Sequence, residues 1–107
     1  MTTHRPPAHL GRPGRRLWKS VTGEFALAPH QLELLRLAAE ATDRADEARQ
    51  LLDEQGLTFH DRAGLPRSRP EVAVERDSRL AVARLLRELA LEPGDADARP
   101  PRAGGRT

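Results

Sequence analysis

The sequence predicts a mainly α-helical chain. It comprises a short N-terminal helix, two long helices over about residues 29–56 and 70–91, a small β-hairpin linking them, and flexible basic tails. Three observations predict it. Apolar residues recur at helical spacing through residues 30–56, and a second apolar-periodic run follows Pro70. The stretch between them, LTFHDRAGLPR, is too short and too punctuated by turn residues for a helix.

Residues 1–13 and 93–107 are rich in Pro, Gly and Arg and nearly lack large apolar side chains. Such segments do not offset their ordering entropy. They are expected to be a disordered basic arm and a flexible C-terminal tail around a foldable core at 14–92. Gly11, Pro13 and Gly14 close the arm. Leu17, Trp18, Val21 and Phe25 then fall at helical spacing, which predicts a short amphipathic helix over 15–22, stopped near Gly23. Two turns are marginal in isolation, so Trp18 should anchor this helix to the rest of the fold. Phe25 and Phe59, the only other aromatic residues, are read as core anchors beside it.

The first long helix carries Leu34, Ala38, Ala41, Ala45, Ala48 and Leu52, separated by steps of four and three. That is a heptad-like seam on one face. Its alanines allow another helix to come close but bury little area each, and the seam is expected to be an oligomer interface. Leu32, Leu35, Ala39 and Leu51 widen the apolar stripe. Pro29 suits the first helical position. Leu27 and Leu32 have the spacing of a hydrophobic staple, and Gly56 is placed to cap the C-terminus. The outer face (Glu33, Glu40, Asp43, Arg44, Asp46, Glu47, Asp53, Glu54) reads as solvated.

In the hairpin, Thr58 and Phe59 are read as strand, 61–64 as turn and 65–67 as the return. Two strands are not stable alone, so the ribbon must find support. His60 and Asp61 form the only adjacent His–Asp pair, and without a nucleophile or companion ligands they are read as structural. Ser68 and Glu71 have capping-box spacing ahead of the last helix, although Pro70 favours a start at the proline itself. Val72, Leu80, Val82, Ala83, Leu85, Leu86, Leu89 and Ala90 supply the apolar face of that helix, and Pro93–Gly94 ends it.

The chain has no cysteine, which excludes a disulfide framework and cysteine-ligated zinc. No cofactor or metal is expected. No apolar run approaches the roughly 20 residues of a membrane span, and there is no signal-peptide core, so a cytoplasmic protein is expected. The net charge of +2 is unevenly distributed. Residues 1–19 hold Arg5, Arg12, Arg15, Arg16 and Lys19 and no acid, whereas residues 24–56 hold eight acids against three arginines. A basic segment on an acidic body suits phosphate binding and equally suits docking on an acidic neighbouring subunit; for the first, Arg12, Arg15, Arg16 and Lys19 are the candidate DNA contacts. Two function classes fit: a non-enzymatic DNA-binding adaptor, or a helical protein-interaction module of the regulator or antitoxin type. A thin core and a dependent hairpin favour an oligomer in either case.

In order along the chain stand Leu17-Trp18 with Val21, the linker FALAPHQLELL, the Ala39-x-x-x-Asp43-Arg44 element, the EQGL turn at 54–57, Gly64 and Pro70, and RLAVARLLRELAL at 79–91. This series resembles the small subunit of phage terminases, the family common in phages and prophages of high-GC bacteria. The resemblance covers about residues 14–92. It implies a helical protein without enzymatic activity that assembles into a ring and recognises viral double-stranded DNA at the packaging start. It also implies regulation of a large terminase subunit, which carries the ATPase and nuclease, in the cytoplasm of a bacterial host. The chain departs from many such subunits in showing no separate helix-turn-helix domain ahead of the assembly region.

Overall fold

The computed structural model describes residues 4–91. It contains three helices, α1 (Arg12–Glu24), α2 (Pro29–Gln55) and α3 (Pro70–Leu89). Between α2 and α3 lie strands β1 (Thr58–His60) and β2 (Pro66–Ser68), antiparallel in the register Thr58↔Ser68, Phe59↔Arg67, His60↔Pro66. The element types and their order are those the sequence predicts.

At 27 residues, α2 is about 40 Å long and is the element on which α1 and α3 both pack. Pro29 opens it, and Ala28 at the N-cap offers no side-chain acceptor. Gln31 compensates, its Oε1 accepting the Ala28 N–H at 2.8 Å. Leu27 and Leu32, the two staple residues, both pack against the core. At the other end Gly56 takes φ +84, which other residues rarely adopt, and its N–H closes the last turn on the Leu52 carbonyl.

The core sits at the end of the molecule where all three helices meet. Leu10, Trp18, Leu35, Ala39 and Leu89 are buried together, ringed by Leu17, Val21, Leu27, Leu32, Leu34, Leu86 and Leu91. Complete burial of a leucine such as Leu35 or Leu89 contributes about 1.5–3 kcal/mol. Towards the hairpin α1 is absent, and α2 and α3 continue as a pair with Ala48 and Ser78 buried.

Several expectations need correction. α1 starts at Arg12, three residues before the predicted position, and continues to Glu24. Pro13 lies in its first turn, where the missing N–H leaves no hydrogen bond unmade. Residues 4–11, expected to be disordered, lie against the body. Leu10 is 2 % exposed, and Trp18 Nε1–H donates to the His4 carbonyl at 2.9 Å. A buried leucine and side-chain contacts from Trp18, Glu40 and Asp43 thus fasten a segment whose composition alone argues for disorder. Residues 1–3 and the predicted tail at 93–107 lie outside the described residues.

Of the three predicted aromatic anchors, Trp18 is buried, Phe25 is half-buried and Phe59 is not a core residue. Phe59 is 37 % exposed on the hairpin, with the Arg69 guanidinium 5.8 Å from its ring centre. The Ser68–Glu71 capping box does not form, because Arg69 is the N-cap of α3 and no side chain caps it. α3 ends at Leu89, before Pro93–Gly94, where Ala90 adopts a left-handed φ of +54.

Candidate nucleic-acid interface

Arg12, Arg15, Arg16 and Lys19 all lie on α1 and all are exposed. Their spacing of i, i+3, i+4 and i+7 puts them in one stripe on one face. Gly14, Trp18 and Val21 occupy the opposite face and turn inward. The four cations line a single shallow depression. Among the described residues, none of the ion pairs uses any of the four.

The stripe is held in place by a residue on another helix. Asp43 of α2 accepts the Gly11 N–H on Oδ2 at 2.6 Å and the Gly14 N–H on Oδ1 at 2.7 Å. These donors belong to the N-cap and first turn of α1, which have no intrahelical acceptors. A carboxylate there also suits the positive end of the helix dipole. Asp43 therefore performs from a neighbouring helix the task that an N-cap side chain performs locally. Both donors come from glycines, and the reason is steric. A Cβ on Gly14 would meet Asp43 Oδ2 at 2.6 Å and the Ala39 carbonyl oxygen at 2.7 Å. Ala39 is fully buried, so its small side chain lets α1 approach at this point.

Acidic residues of α2 border the stripe. Arg12 and Arg16 share a polar groove with Asp43, Asp46 and Glu47 of α2. Further along α2, Glu40 is already engaged by His9 Nε2 at 2.7 Å and by Arg36 at 2.8 Å, while Arg36 also binds Glu33 at 2.7 Å. The hydrogen bond from His9, then that from Arg36, holds the Glu40 carboxyl below its ordinary value. Glu40, the acid that His9 meets, is thus internally partnered, whereas the four cations of α1 are left open among the described residues.

The other predicted site residues fall elsewhere. Ala38, Ala41 and Ala48 are buried inside the single chain, and Leu34 joins the core cluster. Ala45 and Leu52 are half-buried. The close approach that these alanines permit is therefore made by the chain's own helices, chiefly α3. Ala45 reaches an open groove, lined also by Val82, Ala83 and Leu86. In the hairpin, Asp61 organises the turn: Oδ1 accepts the Ala63 and Leu65 N–H groups, and Oδ2 accepts Arg67 Nε–H, all at 2.9 Å. Arg67, then the backbone donor of Leu65, lowers its pKa. Among the described residues no cluster of His, Cys, Asp and Glu could hold a metal ion, and no helix is long and apolar enough to cross a membrane.

Sequence reasoning missed Asp43, Gly11 and Gly14 as one unit. The available signal was the pair of glycines three residues apart, set against Ala39 and Asp43 four apart on the next helix.

This arrangement is that of a small helical scaffold that holds a cationic helix rigidly against an acidic, Ala-rich one. The family model for the small subunit of phage terminase matches residues 14–99, so the chain belongs to the phage terminase small subunits. No curated protein and no solved structure was found to match it.

Proposed function

We propose that this chain is the DNA-recognition subunit of a viral packaging machine, and that α1 is its DNA-contacting element. The observation that carries this reading is the exposed stripe Arg12, Arg15, Arg16 and Lys19, free of protein ion pairs among the described residues and fixed by Asp43. Cations spaced over two turns of a rigid helix match the phosphates along a duplex, and phosphate contacts supply most of non-specific affinity. Family membership supports the packaging role. In this role the subunit has no catalytic activity of its own. It acts in several copies, in a ring, in the cytoplasm of the bacterial host. There it brings the start of the viral double-stranded DNA to the large terminase subunit and regulates the ATPase and nuclease of that subunit.

Gel-shift titration of duplex DNA tests the reading. Replacing all four cations by alanine should weaken binding for every sequence to a similar degree, because phosphate contacts carry no sequence information. Unchanged affinity would remove α1 from the interface.

A further inference from the structure

The cationic stripe of α1 is short, and acids stand at both of its ends. From Arg12 to Lys19 it covers about 10 Å of a helix 13 residues long. Glu24 closes the exposed face. Arg12, Arg16, Ser20 and Glu24 follow one another at i, i+4 spacing, and all four are exposed. The negative end of the helix dipole adds to the Glu24 carboxylate. At the other end α1 begins, and α2 runs on past it towards the hairpin. Asp43, Asp46 and Glu47 of α2 line one groove with Arg12 and Arg16. Asp53 and Glu54 repeat the Asp46 and Glu47 positions seven residues later, on the same face of the helix. Residues 43–54 carry five acids against Arg44 and Arg49, a net of −3. Arg49 turns to Glu75 of α3, 3.7 Å away. Among the described residues, no ion pair engages Glu24, Asp46, Glu47, Asp53 or Glu54.

We infer that duplex DNA crosses α1 between Arg12 and Lys19, and that Glu24 and the acidic row of α2 set this path by keeping phosphates off both ends. The inference rests on the proposed DNA-binding role of α1 and gives the direction of the duplex. A duplex laid lengthwise over α1 would pass over Glu24 and then along the α2 row. That row lies one helix layer below α1, about 8–10 Å. The screening length is about 10 Å at 0.1 M salt, so the row still repels phosphates carried over it. A crossing duplex avoids both ends. The stripe is also about as long as the major groove is wide, roughly 12 Å. Cations at its two ends therefore reach the two backbones that flank one groove.

DNA cutting from single cysteines in this cysteine-free chain tests the path. An iron chelate tethered at Ser20→Cys, beside Lys19, should cut a bound duplex. One at Gln55→Cys, exposed at the far end of α2 and about 18 Å beyond Asp43, should leave it uncut. Reversing the acids is the second arm. Each phosphate neutralised adds about 0.9 to the salt slope, so Glu47→Lys with Glu54→Lys should steepen it by up to about 2, and Glu24→Lys by about 0.9. The double reversal should also bring cutting from Gln55→Cys. Asp77→Lys makes an equal change of charge on α3, lining neither the depression of the four cations nor the groove beside Asp43, and should leave the slope unchanged. Equal cutting from Ser20→Cys and Gln55→Cys with the native acids would mean a lengthwise duplex and overturn the inference. So would unchanged slopes in the reversed variants, or an equal gain in Asp77→Lys. Each of these outcomes leaves α1 as the DNA-contacting helix. A chain that binds DNA with no cutting from Ser20→Cys removes α1 from the interface and sinks both readings.

Discussion

Asp43 and Gly14 meet at 2.7 Å across 29 residues of sequence, a carboxylate on α2 accepting the backbone N–H in the first turn of α1. The contact sets both the position and the orientation of the cationic stripe, because it is made where α1 begins. Its two sides have separate tests.

Gly14→Ala is the steric test. Helix propensity alone favours alanine by about 1 kcal/mol. The Cβ would, however, lie 2.7 Å from the Ala39 carbonyl oxygen, a backbone atom of α2 that cannot swing aside. Overpacking of this kind costs about 1–3 kcal/mol, so a net loss of stability is expected in urea denaturation. Gly11→Ala should cost less, since its Cβ would meet only the Asp43 carboxylate, at 3.1–3.4 Å.

Asp43→Ala is the electrostatic test. Loss of an N-cap acceptor typically costs about 1 kcal/mol, and up to about 2. Here two donors lose their acceptor together, and the upper half of that range is expected in the same denaturation assay. Hydrogen exchange at Gly11 and Gly14 should accelerate more than at Leu35. Uniform acceleration along the chain would mean that Asp43 serves general stability and does not position α1.

Trp18 fastens residues 4–10 as well as α1. Trp18→Phe keeps most of the apolar contact and removes the Nε1–H donor to His4, at a cost of about 0.5–1.5 kcal/mol. Increased backbone mobility of residues 4–9 by NMR relaxation is the expected readout, with α2 unaffected.

Ala38 and Ala41 are 0 % and 4 % exposed within one chain. Enlarging either to leucine should lower the stability of the folded chain by about 1–3 kcal/mol in chemical denaturation. Full stability of both variants would place this row outside the α2–α3 contact.

The Asp61 carboxyl, held below its ordinary value of 3.8 first by Arg67 and then by Leu65 N–H, gives a pH prediction. The folded-state pKa is depressed, so the contribution of Asp61 to the hairpin is fully present above the ordinary value. It disappears as pH falls through the lowered one. NMR titration should find Asp61 still mostly ionised at pH 3.8. Arg67→Ala should move the midpoint back towards that value, and an unmoved midpoint would assign the shift to the turn amides alone.

The fold was largely legible in the sequence because its signals are local. Pro29 and Pro70 mark helix starts, Gly56 marks an end, and the hairpin is bounded by turn residues. What was not legible depends on contacts remote in sequence. The order in residues 4–11 comes from Leu10, from an indole that donates to a carbonyl 14 residues earlier, and from Glu40 and Asp43 on α2, which meet His9 and the Gly11 N–H. Phe59 looked like core because aromatic residues usually are, yet the hairpin stands clear of the helices. The alanine seam reads the same whether its partner helix lies in the same chain or another, because helical spacing specifies a face and not what covers it. The four cations were legible as a charge imbalance; their common face became definite only with α1 starting at Arg12.

The salt dependence of duplex DNA binding tests the central claim most directly. Each phosphate that a cation neutralises adds about 0.9 to the slope of log affinity against log salt, so replacing Arg12, Arg15, Arg16 and Lys19 by alanine should flatten that slope by roughly 3–4. A variant with wild-type affinity and an unchanged slope would contradict the assignment of α1 as the DNA-contacting helix.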